Sequence, residues 1–438
     1  MHKSVWSDVV KMPSFEKLRG EKKCDVLVIG GGICGILCAK FLQDANIDYI
    51  LVEGDKIASG ITKNTTAKIT SQHGMIYSKL VRSAGYEKAR MYFEANQKAV
   101  SEYEKICRDI DCDFEKRASY IYSKTNRKRI EKEVATVEKL GFNADFSETD
   151  ELPFETKGAV RFKNQAQFNP LKFIANIVSK LNIYEDTFIR DILPGMAISD
   201  EGKIFAEKII VATHFPFINK HGSYFIKLYQ HRSYVSAYEN AGKISGMYAD
   251  ENEKGLSFRQ YGKLLLVGGG GHRTGKQGGN WREINDFAKE KYAGAIRRYE
   301  WATQDCMSLD GIPYIGKYSA RTPNLYVATG FNKWGMTSSM VAAEILRDMV
   351  FDKENEFSEV FSPQRSILKP QVLINGFEST VNLLTPTAPR CPHLGCSLKY
   401  NRAEHTWDCP CHGSRFERDG KLIDNPATGD ANIDSEGK

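Results

Sequence analysis

The sequence predicts a mixed α/β protein with three parts. These are a domain built on a parallel sheet, a second domain with an antiparallel sheet inserted into it, and a small all-β domain at the C-terminal end. A short apolar strand runs into a glycine-rich turn and an apolar helix over residues 26–43. Strand-like segments dominate residues 224–268, and cysteine and histidine residues cluster after residue 390. Together these three observations favour this fold class.

The composition is that of an ordinary globular protein. The 438 residues suffice for two or three domains, and 41% hydrophobic with 26% charged residues excludes disordered, collagen-like and coiled-coil chains. The longest charge-free apolar stretch, residues 26–39, has 14 residues including four glycines, whereas a membrane-spanning helix needs about 20. The first residues lack the apolar segment of a secretory signal. We therefore expect a cytoplasmic protein without a transmembrane segment.

The basic residues do not indicate a nucleic-acid partner. The net charge of +6 is spread along the chain. The basic run at residues 127–129 is followed by Glu131 and Glu133 at helical spacing, a pattern typical of a solvated helix face.

The first glycine-rich turn predicts a dinucleotide site. Gly30, Gly32 and Gly35 form a G-x-G-x-x-G motif between a strand and a helix. In such a motif the first glycine permits the turn, the second lets the backbone approach a pyrophosphate, and the third lets helix and strand pack closely. Glu53 ends a second strand 18 residues after Gly35, where a carboxylate accepts hydrogen bonds from ribose hydroxyls. This favours a Rossmann-like domain of the glutathione-reductase type.

Later segments decide between FAD and NAD. The hydroxyl-rich loop around Thr65 and Thr66, the motif from Asp310 to Gly316 and the late turn at residues 330–337 accompany the glycine motif. In this combination, residues 24–350 resemble the D-amino-acid oxidase and glycine oxidase superfamily of FAD-dependent oxidoreductases. The resemblance implies FAD contacts at the following positions: Thr65, Thr66, Ile189, Thr213, Gly330, Gly335, Met336 and Thr337.

A second glycine run, residues 268–271, follows an apolar strand but contains no G-x-G-x-x-G frame. We predict a loop there, near the substrate cavity, and no second nucleotide site. Residues 80–150 show helical spacing, and residues 224–229 and 232–238 are predicted strands of the inserted domain.

The domain ranges follow from these assignments. We predict a discontinuous FAD-binding domain at 1–80, 155–222 and 300–352, a substrate domain at 81–154 and 223–299, a linker at 353–370, and a C-terminal domain at 371–438.

The side chains that assist catalysis are less sharply indicated. Lys68 and His73 follow the Thr65–Thr66 loop, and we predict them beside the flavin ring, although a surface lysine and a structural histidine fit the same pattern. His231, Arg259, His272 and Lys333 are weaker candidates. In some related oxidases the flavin is attached covalently to a residue near this point of the chain. Cys306 lies about three residues away from that position, so we expect non-covalent FAD.

The strongest motif is a metal site. Cys391, His393, Cys409 and His412 follow the pattern C-x-H-x15-C-x2-H, which differs from the C-x2-C and H-x3-5-H pairs of zinc fingers. It matches a Rieske [2Fe-2S] centre, in which two cysteines hold one iron and two histidines hold the other.

The resemblance to Rieske proteins of respiratory complexes implies further roles. Cys396 and Cys411 occupy the positions of a disulfide that joins the two cluster loops. Ser414 matches a serine that donates to a cluster sulfur, whereas Phe416 stands where high-potential members have tyrosine. We therefore predict a reduction potential inside the range of roughly −150 to +300 mV, but below its top.

The C-terminal domain is shorter than a full Rieske domain. Only about 40 residues separate Val350 from Cys391, and 26 follow His412. Either the FAD domain serves as the base of the cluster domain, or the cluster domain is incomplete and less stable.

Together these features predict an oxidoreductase. A small amine or amino-acid-like substrate would reduce FAD, and electrons would pass through the cluster to a redox partner protein or a quinone. Two alternatives stay open: an electron-transfer or redox-sensing protein without its own substrate, and a reductase in which electrons flow the other way.

Overall fold

The computed structural model describes residues 3–386 and 389–433. Predicted positions 387–388 and 434–438 of the C-terminal domain therefore lie outside the described residues. Helices α1 to α11 span Trp6–Val9, Ile33–Asp44, Ile76–Ala84, Tyr86–Cys107, Arg127–Lys139, Pro170–Ile177, Tyr224–Lys227, Asn280–Lys291, Gly335–Val350, Ser358–Phe361 and Pro370–Leu384. Strands β1 to β21 span Gly20–Ile29, Tyr49–Val52, Lys68–Ile69, Glu115–Ser123, Asp145–Ser147, Gly158–Gln167, Ile183–Tyr184, Ile189–Leu193, Met196–Ser199, Gly202–Val211, Leu228–Glu239, Met247–Asp250, Ser257–Tyr261, Leu264–Arg273, Ile296–Ser308, Tyr314–Lys317, Leu325–Thr329, Lys399–Asn401, Thr406–Asp408, Arg415–Phe416 and Leu422–Asp424.

The strands form three sheets. An eight-stranded sheet has the order β16-β17-β10-β1-β2-β7, and β8 and β9 are attached to β10. Its β17, β10, β1, β2 and β7 are parallel, and α2 packs against α9 on one face. This parallel sheet with buried apolar strands confirms the predicted α/β domain.

The nine-stranded sheet forms the inserted domain, with the order β15-β11-β14-β13-β12-β4-β6-β3 and β5 paired to β6. It is mainly antiparallel. Strands β6 and β15 belong to this sheet, although they fall mainly within ranges assigned above to the FAD-binding domain. Their pairing with strands far away in the chain determines to which sheet they belong. The local sequence of a strand does not show which strand it pairs with.

Three local predictions differ from the structure. Residues 224–227 form a helical turn before β11 begins, and the segment expected to be helical contains β4 and β5. The glycine run at 268–271 lies inside β14 and is not a loop. Glycine is needed there because neighbours approach closely: a Cβ would lie 2.7 Å from Ser257 Oγ at Gly268 and 2.4 Å from Leu256 Cδ2 at Gly269.

The C-terminal lobe contains the four short antiparallel strands β18 to β21. Helix α11 leads into it from the oxidoreductase part. Among the described helices, none is both long and apolar enough to cross a membrane.

Candidate functional site

A cavity of about 1290 Å³ lies between the two large sheets and reaches the C-terminal lobe. It is lined by most residues predicted to contact FAD or to assist catalysis, namely Gly30, Gly32, Glu53, Thr65, Thr66, Lys68, His73, Ile189, Thr213, Gly330, Gly335 and Met336. Two other predicted residues, Gly35 and Thr337, do not line the cavity but contact residues that do.

The glycine turn is shaped for the close approach of a ligand. Gly30 has φ +113°, and a Cβ there would lie 2.6 Å from the carbonyl oxygen of Ala212. At Gly35, a Cβ would lie 1.9 Å from the carbonyl oxygen of Gly30. Gly32 is open, since the nearest atom to its Cβ position is Thr62 Oγ1 at 3.5 Å. The turn thus keeps its backbone free of side chains where helix α2 begins.

Glu53 stands at the end of β2, beside this turn. Its carboxylate accepts hydrogen bonds from the backbone amides of Gly31 at 2.6 Å and Asp55 at 3.0 Å. Burial raises the pKa of this carboxyl, while the amides oppose the rise. A carboxylate at this place can accept hydrogen bonds from ribose hydroxyls.

The Thr65–Thr66 loop is fixed from two sides. Trp6 Nε1 donates to the carbonyl oxygen of Thr65 at 2.8 Å. The guanidinium of Arg259 donates to the carbonyl oxygens of Thr66, Ala67 and Phe168, the last two at 3.0 and 2.9 Å. Arg259 therefore positions the loop and does not face a substrate.

Lys68 follows this loop and lies on the cavity wall. Its Nζ donates to the carbonyl oxygen of Tyr248 at 3.0 Å. Burial lowers the pKa of this ammonium to about 7, and the nearby Arg259 adds to the effect.

His73 is held on both ring nitrogens. Nδ1 lies 2.6 Å from the hydroxyl of Tyr92, and Nε2 lies 2.9 Å from the carbonyl oxygen of Thr70 and 3.0 Å from Thr337 Oγ1. The ring stacks on Trp334 with centroids 5.1 Å apart. Burial lowers its pKa to about 3, so the ring is neutral at neutral pH. This arrangement suits a residue that positions the start of α9 better than one that transfers protons.

The sheet supplies cavity residues that the sequence did not single out. Asp305 on β15 lies directly opposite His231 on β11, so both side chains point to the same face. Ser233 Oγ, two residues on, lies 3.4 Å from Asp305 Oδ2. Burial raises the pKa of Asp305, and the ammonium of Lys333 is the largest opposing influence. Asp305 and Lys333 thus both line the cavity, near enough to influence each other electrostatically. The only sequence signal for Asp305 was its position five residues before Asp310.

Two further candidates are structural. His231 is buried, and its Nδ1 has no hydrogen-bond partner among residues 3–386 and 389–433. Burial lowers its pKa to about 2. His272 bonds the hydroxyl of Tyr234 at 3.0 Å and the carbonyl oxygen of Arg273 at 2.9 Å. The ring of His231 therefore stays neutral at neutral pH, and both ring nitrogens of His272 are occupied by contacts within the fold.

The four predicted metal ligands converge at one end of the lobe. Nδ1 of His393 and Nδ1 of His412 lie 3.3 Å apart, which is about the separation of two nitrogen ligands on one tetrahedral metal with bonds of roughly 2 Å. The thiols of Cys391 and Cys409 contact each other. Cys391, Cys409 and His412 are buried, whereas His393 is half-buried and its Nε2 lies 2.9 Å from Asn219 Oδ1. Two sulfurs and two imidazole nitrogens are the donor set of a Rieske centre.

Polar groups around the sulfurs favour thiolates. Backbone amides of His393 and Leu394 face the Cys391 sulfur, as does the side chain of Ser414. Ser414 Oγ also accepts from the amide of Ala427 at 2.9 Å, so its own proton is free for the sulfur. Hydrogen bonds of this kind tune an iron–sulfur centre.

Cys396 and Cys411 form a disulfide between the two ligand loops. The sulfurs of Cys396, Cys409 and Cys411 all lie within 4.8 Å of one another. Because two of these three are joined as a disulfide, they have no thiolate to offer, and Cys409 is the cysteine of this group that could bind a metal.

The cluster loop docks on the opposite face of the sheet from Asp305. Gln230 donates to the carbonyl oxygen of His412 at 3.2 Å, and Gln304 donates to that of Gly413 at 2.9 Å. Gln230 also contacts His214 Nε2 at 3.0 Å, and His214 lines the cavity. A Cβ at Gly413 would lie 2.5 Å from the side chain of Gln230. The contact is therefore tight and depends on glycine.

A second set of contacts joins the lobe to the FAD-binding domain. Asn425 Nδ2 donates to the carbonyl oxygens of Thr213 at 2.7 Å and Phe215 at 2.8 Å. The ring of Phe215 lies 6.3 Å from that of His412. The lobe therefore contacts the same backbone segment that lines the cavity. None of Gln230, Gln304 or Asn425 carried a sequence signal, since polar residues in strands and turns are common.

Comparison with known proteins agrees with this geometry. Residues 25–349 match the family model "FAD dependent oxidoreductase", and residues 370–433 match "Rieske [2Fe-2S] domain". The chain is 34% identical over 487 residues to YhfW of Bacillus subtilis, which is named as a Rieske 2Fe-2S iron-sulfur protein; the match covers 97% of this chain and 96% of that protein.

Solved structures share the fold of the larger part. L-proline dehydrogenase from P. horikoshii superposes with a TM-score of 0.66 and 16% identity, over 79% of this chain and 98% of that one. Glycine oxidase from Geobacillus kaustophilus gives 0.65 and 18%, over 79% and 100%. At these identities the likeness concerns the fold alone.

The residues present fit both groups. For FAD, the cavity is large, the glycine turn has no side chains toward it, and Glu53 stands at the ribose position. For the cluster, two buried sulfurs and two facing imidazole nitrogens are available. Gly30, Gly32 and Glu53 would hold the adenosine and pyrophosphate, and Cys391, His393, Cys409 and His412 would hold the iron pair.

Proposed function

Because the chain belongs to the family of FAD-dependent oxidoreductases and carries a C-terminal Rieske [2Fe-2S] domain, we propose that it is a dehydrogenase. It oxidises a small amine or amino-acid-like substrate, and electrons leave through the cluster to an external protein or quinone. FAD supplies a two-electron acceptor and the cluster a one-electron carrier.

One observation carries the proposal. The strands β11 and β15 present Asp305, His231 and Ser233 to one face and Gln230 and Gln304 to the other, where Gln230 and Gln304 hold the cluster loop. Asp305 and Gln304 are neighbours on β15, so the cavity wall and the support of the cluster loop belong to the same strands. This adjacency supports electron passage between the two sites without movement of the lobe.

The cavity supports an enzyme more than a pure carrier. An enzyme needs an enclosed space with a few fixed polar groups. Lys333 can hold a substrate carboxylate, and Asp305 can accept a hydrogen bond from a substrate amino group. These two groups of opposite charge favour a substrate that carries both functions. They also orient it against the wall formed by β11 and β15.

The test is an anaerobic screen of amines and amino acids. Flavin bleaching would report substrate oxidation, and EPR would report cluster reduction. We expect at least one compound to bleach the flavin and then to reduce the cluster. Asp305→Asn should weaken bleaching, whereas Cys409→Ser should leave bleaching intact and abolish the EPR signal. If no compound bleaches the flavin but a reduced carrier protein does, electrons flow in the opposite direction and the proposal is wrong.

A further inference from the structure

Helix α11 is oriented with its apolar side outward. Leu373 is 76% exposed, Phe377 is 68% exposed and Leu384 is 77% exposed, while Asn375 and Asn382 are buried. The exposed apolar residues at and around this helix are Ile367, Leu368, Leu373, Ile374, Phe377, Val381, Leu383, Leu384 and Leu394. We call this set the α11 apolar face.

Specific contacts fix this orientation. Asn375 Nδ2 donates to the carbonyl oxygen of Ile226 at 3.1 Å, and its Oδ1 accepts from Arg273 at 3.1 Å. At the other end, the carbonyl oxygen of Asn382 accepts from the amide of Ser397 at 3.0 Å. The polar side of the helix is therefore used to attach it to the protein, and the apolar side is left outward.

The size of the α11 apolar face indicates that another molecule binds to it. Nine apolar side chains, each at least 40% exposed, lie on and beside one helix, whereas the largest apolar patch on a typical monomer covers a few hundred Å². Within residues 3–386 and 389–433, nothing buries these side chains.

The charges around helix α11 distinguish between a second copy of the chain and an anionic lipid surface as the binding partner. Lys369 stands at the start of α11, and Arg390 lies beyond its end, where it bonds the carbonyl oxygen of Leu383. The only carboxylate of the helix, Glu378, is paired with Lys276 at 2.8 Å. Lys369 also faces the carboxylate of Asp310, but that carboxylate is paired with Arg365, so the two ends of the helix keep a net positive charge. Two copies meeting on this face would bring these positive ends together with no free carboxylate of the helix to oppose them, whereas anionic lipid headgroups would neutralise them.

We propose that the α11 apolar face docks on the surface of an anionic lipid bilayer, with the helix lying parallel to it. The face is continuous with the cluster end of the lobe, since Leu383 lies beside Gly395 and Leu394 follows His393. Docking would therefore bring the half-buried His393 closer to the headgroups. If the proposed function holds, a lipid-soluble acceptor in the bilayer could then take electrons there; the docking itself does not depend on that function.

The experiment is vesicle flotation of the purified holoprotein. One set of vesicles contains phosphatidylcholine alone, and the other an equal mixture with phosphatidylglycerol. We expect flotation with the mixed vesicles, weakened by salt, and much less with phosphatidylcholine. A Leu373→Glu, Phe377→Glu double variant should lose binding by roughly tenfold or more, because binding follows the inserted apolar area.

Two variants serve as controls. Ile296→Glu changes an apolar residue that is 45% exposed and lies where β15 pairs with the end of β11 distant from α7. This variant should float like the wild type. Leu368→Glu, Leu384→Glu provides a second test of the face if the first pair impairs folding, as judged by flavin absorbance and thermal unfolding.

Several outcomes would overturn the proposal. These are no flotation of the wild type with either vesicle, equal flotation with phosphatidylcholine alone, or unchanged flotation of both face variants. A dimer in light scattering that the face variants dissociate, without vesicle binding, would assign the face to a second copy of the chain instead. None of these readouts requires a substrate, so they are independent of the flavin-bleaching screen.

Discussion

Replacing Glu404 with glutamine tests how the C-terminal lobe is held on the sheet. The side chain is buried, and its Oε1 accepts from Arg232 Nε on β11 at 3.0 Å. Its Oε2 accepts from Arg415 Nη2 of the lobe at 2.8 Å. Burial raises the pKa of Glu404, but Arg415 and Arg232 outweigh it and lower the pKa to about 2.

The magnitude follows from this shift. A fall from the ordinary 4.5 to about 2 corresponds to about 3 kcal/mol of stability, at 1.36 kcal/mol per pKa unit. Because the folded-state pKa is depressed, this contribution is complete above the ordinary pKa and is lost as the pH falls from 4.5 towards 2. At pH 4, about 1 kcal/mol of this contribution to stability should be lost.

The assay is urea unfolding of the wild type and of Glu404→Gln at pH 7 and pH 4, followed by tryptophan fluorescence and the visible absorbance of the cluster. We expect the variant to be less stable by about 3 kcal/mol at pH 7, with the gap narrowing by about 1 kcal/mol at pH 4. Glu417→Gln, at an exposed carboxylate of the same lobe, should show neither effect. A gap of the same size at both pH values would refute the reasoning.

Three other outcomes are expected. Gly35→Val should abolish FAD retention, because a Cβ there lies 1.9 Å from the carbonyl oxygen of Gly30; flavin absorbance after gel filtration measures this. Lys68→Met should remove a rise in stability with pH that the wild type shows between about 7 and 10.5, because the unfolded chain binds more protons across that window; urea midpoints at both ends of the window would reveal it. Cys391→Ser should leave FAD bound while bound iron is lost, as metal analysis of the flavin-containing fraction would show, and unchanged iron would contradict the ligand assignment.

Local motifs were predictable from the sequence, whereas long-range partners were not. The Gly30–Gly35 turn depends on contacts within one strand, one turn and one helix, so its spacing alone predicts the shape. The glycine run in β14 was wrongly predicted as a loop, because the reason for glycine there is the approach of Ser257 and Leu256 from neighbouring segments. Spacing carries no information about such contacts.

The same distinction applies to the candidate site. The cysteine and histidine pattern predicted a donor set, and in the structure His393 lies beside His412 and Cys391 lies beside Cys409. Gln230, Gln304 and Asp305 were not found, because their roles arise from the pairing of β11 with β15 across about 70 residues of chain. Alternation along a strand shows which residues share a face, but not which domain lies over that face.

The C-terminal lobe uses the oxidoreductase domain as its base, which answers a question that the sequence left open. Its own apolar core is small, and half of the buried residues in it are cysteines: Cys391, Cys396, Cys409 and Cys411. A unit of this size needs disulfides, metal or external packing to remain folded. The disulfide supplies one of these, and Arg232, Gln230 and Gln304 supply buried polar partners from the sheet. The same contacts that support this small core also hold the loop of His412 and Gly413 on the sheet, so the stability of the lobe and the position of this loop depend on one interface.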